Sequence, residues 1–240
     1  MKAYSNGITK KEFIKEIKWH QEQDAFIQGK WFEGGKGCAV GCSLASISKL
    51  KGIELSYSDF SEYPKHLGIP EWMAKLEESI FEGMQEGDAK LWPLRFSDAI
   101  TEGQDLERIK TPFTCFILKE NIKTMEGLEV DKNQSPDVSN AIQSSIVVNK
   151  EMIKALKNGD EHLIASAAYS AISAAGSAAR SADSADSAAL AALAARSAAR
   201  SAALAALADY SAAALAARSA ARSAYYKKLS NKLIELIEEN

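Results

Sequence analysis

The sequence predicts an all-α protein, and three observations carry that expectation. Residues 165–224 hold 31 alanines and 12 serines, and no proline interrupts them, which favours helix because alanine is the strongest helix former. Elsewhere, apolar residues recur at helical spacing between recognisable start and stop residues. No segment combines strand-like alternation with turn signals. The expected architecture is a set of short helices around a Gly-rich loop, followed by long Ala/Ser-rich helices in a close-packed bundle or coiled coil. A division into residues 1–130 and 131–240 follows from the change in composition.

The elements follow in order. Thr9 is placed to cap a first helix over Lys10 to Gln28, with Phe13, Ile14, Ile17, Phe26 and Ile27 on its apolar face and Gly29 as its stop. A short helix is expected from Cys38 to Leu50. Residues 51–70, with Gly52, Pro64, Gly68 and Pro70, read as irregular. Pro70 suits a helix start, because a missing N–H does no harm there, and Met73, Leu76, Ile80 and Met84 follow at helical spacing. Pro93 is read as opening another short helix around Leu91 to Phe96, and Thr111-Pro112 as opening the next. There Phe113, Phe116 and Ile117 should point inward and Gly127 should end the helix. Ser135-Pro136-Asp137 caps a helix over Val138 to Lys157, ended by Asn158-Gly159.

In the alanine-rich stretch the alanines recur at a spacing of about 3.5, the repeat of one seam on a coiled helix. Such a seam asks for another helix against it, from the same chain or from another; a homo-oligomer through these helices is expected. Residues 191–202 read AALAARSAARSA, and 213–224 read the same. On a continuous helix this repeat would align Arg196, Arg200, Arg218 and Arg222 as a stripe, either solubilising or anion-binding. Arg or Asp recurs throughout, so the stretch is no membrane span.

A net charge of −3 argues against general nucleic-acid binding. The start, Met1-Lys2-Ala3-Tyr4, leads into charged residues and not into an apolar run, and three cysteines suit a reducing compartment. Both point to the cytoplasm.

The most unusual local chemistry is Gly34-Gly35-Lys36-Gly37 before a helix start. Glycines let backbone N–H groups converge, and a helix N-terminus adds partial positive charge, so the segment reads as an anion nest. It is not a Walker A loop, because Gly35 stands where the lysine belongs. The competing reading is a tight turn that packs Trp31 and Phe32. Cys38 could serve as a nucleophile, since a helix N-terminus lowers a thiol pKa, with His20 as its base. Cys38 and Cys42 lack a second close ligand pair, so no metal is expected, and no cofactor.

Residues 35–42, Gly-Lys-Gly-Cys-Ala-Val-Gly-Cys, resemble a motif found near the N-terminus of an uncharacterised family of bacterial and phage proteins. The resemblance continues through Leu67 to Trp72, Ile80 to Gly83, Trp92 to Phe96, an Ala-rich tail and Lys232 to Leu236. It implies a prophage or phage accessory setting, in which counter-defence proteins are frequent, and no particular activity.

The leading functional expectation is a protein that binds and sequesters a small anionic ligand, nucleotide-derived ligands among the candidates. Its site would be formed by Lys30, Trp31, Gly34, Gly35, Lys36, Gly37, Trp92 and Arg95, with aromatics stacking a base and the nest holding phosphate. The alternatives are a hydrolase or transferase using Cys38 and His20, and a structural or partner-binding protein working through its Ala-rich helices.

Overall fold

The computed structural model describes residues 2–128, 136–159 and 219–240. It is all-α and closely packed. The described residues form eight α-helices: α1 (Lys10–Glu22), α2 (Ala39–Lys51), α3 (Glu62–Leu67), α4 (Glu71–Gly83), α5 (Glu86–Ala99), α6 (Lys110–Leu128), α7 (Pro136–Asn158) and α8 (Ser219–Glu239), with a 3-10 turn at Leu106–Ile109 before α6. Only two isolated β-bridges, Phe26 with Gly37 and Glu33 with Lys36, occur among them.

The chain forms two compact units, Met1–Lys110 with Ala216–Asn240, and Thr111–Leu215. The division therefore does not fall at residue 130: α6 belongs with the second unit, and α8 returns to the first. Alanine content marks composition, whereas the units are set by which apolar faces meet. The alanine seam, Arg196, Arg200 and Arg218 lie outside the described residues, and for Arg222 only its place in the backbone of α8 is described.

In the first unit α1 packs on α5 and α2, α4 packs on α5 and α2, and α8 lies against α4, α5 and the 3-10 turn. Phe13, Ile17, Leu44, Ile47, Phe81, Phe96 and Tyr226 are fully buried among these helices. Gly83 makes the seat for α8, because a Cβ there would collide with the Tyr226 ring. In the second unit Ile122 and Met125 of α6 meet Ile142 and Ile146 of α7.

Several boundaries differ from the sequence expectation, each for a local reason. Thr9 and Glu12 form a reciprocal capping box at the start of α1. The helix stops at Glu22, short of Gln28, because Asp24 adopts a left-handed φ of 48°. The Ala25 N–H then reaches back to the His20 carbonyl at 2.9 Å, closing the helix in the Schellman manner. Lys90 fixes Asp24 there with an ion pair at 2.8 Å. The stretch 51–70, read as irregular, contains α3, a helix of six residues with Pro64 inside it. Pro93 does not open a helix but sits within α5, where the burial of Trp92 and Phe96 outweighs the one backbone hydrogen bond that proline removes.

Candidate functional site

The Gly-rich segment is a closed structural knot. Gly34 and Gly35 both hold positive φ, 60° and 84°, as a two-residue primed hairpin turn requires. Across that turn Glu33 and Lys36 exchange backbone hydrogen bonds of 2.8 and 3.2 Å. The Gly37 N–H donates to the Ala25 carbonyl at 2.9 Å, and the Cys38 N–H to the Lys30 carbonyl at 2.7 Å. Gly37 and Gly41 have to be glycine for a steric reason. A Cβ at Gly37 would stand 2.5 Å from Phe32 Cα, and one at Gly41 would stand 2.9 Å from Phe32 N. The backbone at Trp31-Phe32 thus lies directly on the first turn of α2.

Two carboxylates of α4 reach this segment, one of them at the start of α2. Glu78 accepts the Val40 N–H at 3.1 Å, and both Glu82 oxygens accept the Gly29 N–H at 2.9 Å. Cys38 is the N-cap, its Sγ accepting the Gly41 N–H at 3.4 Å. Of the expected nest, the Lys36, Gly37 and Cys38 N–H groups are engaged by backbone carbonyls, and the Val40 and Gly41 N–H groups by a carboxylate and a thiol; Gly34 and Gly35 lie exposed at the hairpin tip.

The same arrangement decides the chemistry of Cys38. The thiol is 1% exposed. Burial pushes its pKa strongly up, and the neighbouring Glu78 carboxyl, to which it is hydrogen-bonded, pushes it further. The helix N-terminus does not offset this, so Cys38 stays a thiol at neutral pH, whereas nucleophilic cysteines are thiolates. Burial likewise pushes Cys42 up to about 12. Its thiol donates weakly to the Gly37 and Ala25 carbonyls at 3.5 and 3.8 Å. His20 is brought to a different environment. Its ring lies edge-on to Phe32 at 5.7 Å and beside Phe26 at 6.2 Å. Burial holds its pKa below the usual range, with Lys49 adding to that and Glu16 opposing it. Glu78 and Glu82 act electrostatically on Cys38, Glu16 and Lys49 on His20. The structure thus partners Cys38 with Glu78, a carboxyl 40 residues further on in the chain.

Beneath this knot lies a buried acid cluster that sequence reasoning missed. Glu77 is 1% exposed, and its Oε2 accepts the Tyr63 hydroxyl at 2.8 Å. Its Oε1 is unpartnered among the described residues. Burial raises the Glu77 carboxyl to about 8 despite that hydrogen bond. Burial also raises Glu78 to about 7, against the hydrogen bonds from Cys38 and Val40. The only signal in the sequence is that Glu77 shares a helical face with Met73, Ala74 and Ile80. Among the described residues, no cluster of histidine, cysteine and carboxylates could hold a metal ion.

The other expected binding residues are scattered. Trp92 is 1% exposed and donates its indole N–H to the Glu77 carbonyl at 3.0 Å, so it is a core residue and stacks no ligand. Lys30 is paired with Glu33 at 3.0 Å. Trp31 is about half exposed and packs edge-on against Phe60. Lys36 is exposed at the hairpin, and Arg95 is exposed on α5.

An open concave surface lies elsewhere, between α1 and α5. It is a groove of about 890 Å³ whose lining includes Lys11, Lys15, Lys18, Trp19 and Glu22 of α1, with Asp98 of α5 and Glu102 of the turn that follows it. Lys10 pairs with Asp98 at 3.9 Å, and Glu102 accepts the Lys10 backbone N–H at 2.7 Å. Lys11, Lys15 and Lys18 are exposed, and among the described residues none has an ion-pair partner. Trp19 is 45% exposed. Lys49 covers its ring at 5.3 Å and is itself held by Glu16 at 2.7 Å. No helix among the described residues is long and apolar enough to cross a membrane. Comparisons with protein-family models, curated proteins and solved structures each found no match to this chain.

Proposed function

We propose that this protein binds a small anionic molecule carrying an aromatic ring, and that it does so in the α1–α5 groove. The observation that supports this reading is the row of three lysines without ion partners beside a half-exposed tryptophan, on the wall of a cavity of about 890 Å³. A cavity of that size suits a small ligand. Unpaired lysines supply charge, and the tryptophan offers a stacking face. In the accessory setting implied by the family resemblance, such binding would withdraw a signal molecule from a defence pathway.

The test is purification from cells followed by absorbance and mass spectrometry of released small molecules, for the parent and for the double variant Lys15→Glu/Lys18→Glu. The parent should carry an anionic aromatic compound and the variant should not. Lys36→Ala should retain it, because Lys36 lies on the hairpin and outside the groove. Recovery of the same compound from the double variant, or its loss from Lys36→Ala alone, would remove the groove as the site.

A further inference from the structure

The spacing of the cations narrows the ligand. Lys11, Lys15 and Lys18 stand at i, i+4 and i+7 on α1, so they fall within a narrow arc of the helix surface and form one straight row. Seven residues of helix rise about 10 Å. A single phosphate is shorter than one helical turn and would engage two of these side chains at most. A chain of phosphoryl groups would engage all three.

The row also has a direction. Trp19 adjoins Lys18 at its C-terminal end, while Lys11 lies at the N-terminal end, within the Thr9–Glu12 capping box. Lys49 fixes the orientation of the indole ring from one side. Trp19 remains the large aromatic surface at that end of the groove. Resting on the anion-binding reading above, we infer that the groove takes a nucleoside polyphosphate, with its base on Trp19 and its phosphates running along Lys18, Lys15 and Lys11. Asp98 and Glu102 on the opposite wall carry negative charge, so the phosphate chain runs on the lysine side.

The experiment is calorimetric titration of the full chain with ATP, AMP and inorganic tripolyphosphate, without divalent metal, at low and moderate salt. It compares the parent, Lys11→Gln and Trp19→Leu. ATP should bind about tenfold more tightly than AMP, and all affinities should fall with salt as exposed charges are screened. Lys11→Gln should weaken ATP about fivefold, the upper range for one exposed ion pair, and leave AMP unchanged. Trp19→Leu should weaken both nucleotides and leave tripolyphosphate unchanged. Equal affinity for ATP and AMP, or an equal effect of Lys11→Gln on both, overturns the polyphosphate assignment. Tripolyphosphate binding as tightly as ATP, with no effect of Trp19→Leu, overturns the nucleoside part and leaves the anion-binding reading standing. Absence of binding by all three probes removes both readings. The melting curve of Lys11→Gln should match the parent; Trp19 is half-buried against His20, so the far-ultraviolet circular dichroism of Trp19→Leu serves to show that it is folded.

Discussion

Glu77 makes stability depend on pH in an unusual direction. Its carboxyl is buried and raised to about 8, from an ordinary 4.5. Between these values the folded protein binds a proton that the unfolded chain has released, so stability must fall as pH rises through this range. Each pH unit costs about 1.4 kcal/mol while the difference persists. Between pH 6.5 and 8.5 Glu77 accounts for about 2 kcal/mol, and Glu78, raised to about 7, adds less than 1 kcal/mol. Other groups act outside this window. His20, whose folded pKa is lowered, raises stability with pH only below about 6.5. Glu12, Asp24 and Asp59, also lowered, act at acid pH. Cys38, Cys42 and Cys115, raised, enter only at the upper edge of the window, as the unfolded thiols ionise around 8.5, and in the same direction. The perturbation is Glu77→Gln, which keeps an acceptor for Tyr63 and cannot ionise. The assay is thermal unfolding in steps from pH 6.5 to 8.5 under reducing conditions. The parent should lose roughly 4–10 °C over that range, and Glu77→Gln should lose less than half as much. A parent melting temperature that is flat or rising, or an unchanged slope in Glu77→Gln, would refute the argument.

Four further outcomes follow from the packing. Gly37→Ala should destabilise by about 1–3 kcal/mol through collision with the Phe32 backbone, read by urea unfolding. Gly34→Ala meets open space and should cost only the left-handed backbone penalty, about 1–2 kcal/mol. In the native protein Cys38 and Cys42 should react with a thiol reagent at neutral pH far more slowly than a free cysteine, and Cys38→Ser should leave ligand recovery intact; fast labelling would reopen the enzymatic reading. Gly83→Ala should loosen α8 from α4 by driving a methyl into the Tyr226 ring, seen as faster amide exchange in residues 223–237.

Much of the fold was legible because its signals are local. Thr9, Pro70 and Gly159 mark helix ends through their own backbone chemistry, and the apolar spacing of Met73, Leu76 and Ile80 identifies α4. The site was less legible because its partners come from far along the chain. Nothing near Gly29 or Val40 announces that Glu82 and Glu78 will occupy their N–H groups. A glycine needed for close backbone approach looks the same in sequence as one that cradles phosphate. Trp92 offered an aromatic face on paper, but α4 covers it. The lysines of α1 were visible, yet only the placement of α5 turns that face into a groove.

The return of α8 to the first unit makes the region between Lys110 and Ala216 an insertion within a discontinuous domain. The first unit therefore closes only when α8, far along the chain, seats Tyr226 at Gly83, so two separate stretches of sequence share one core and neither completes it alone.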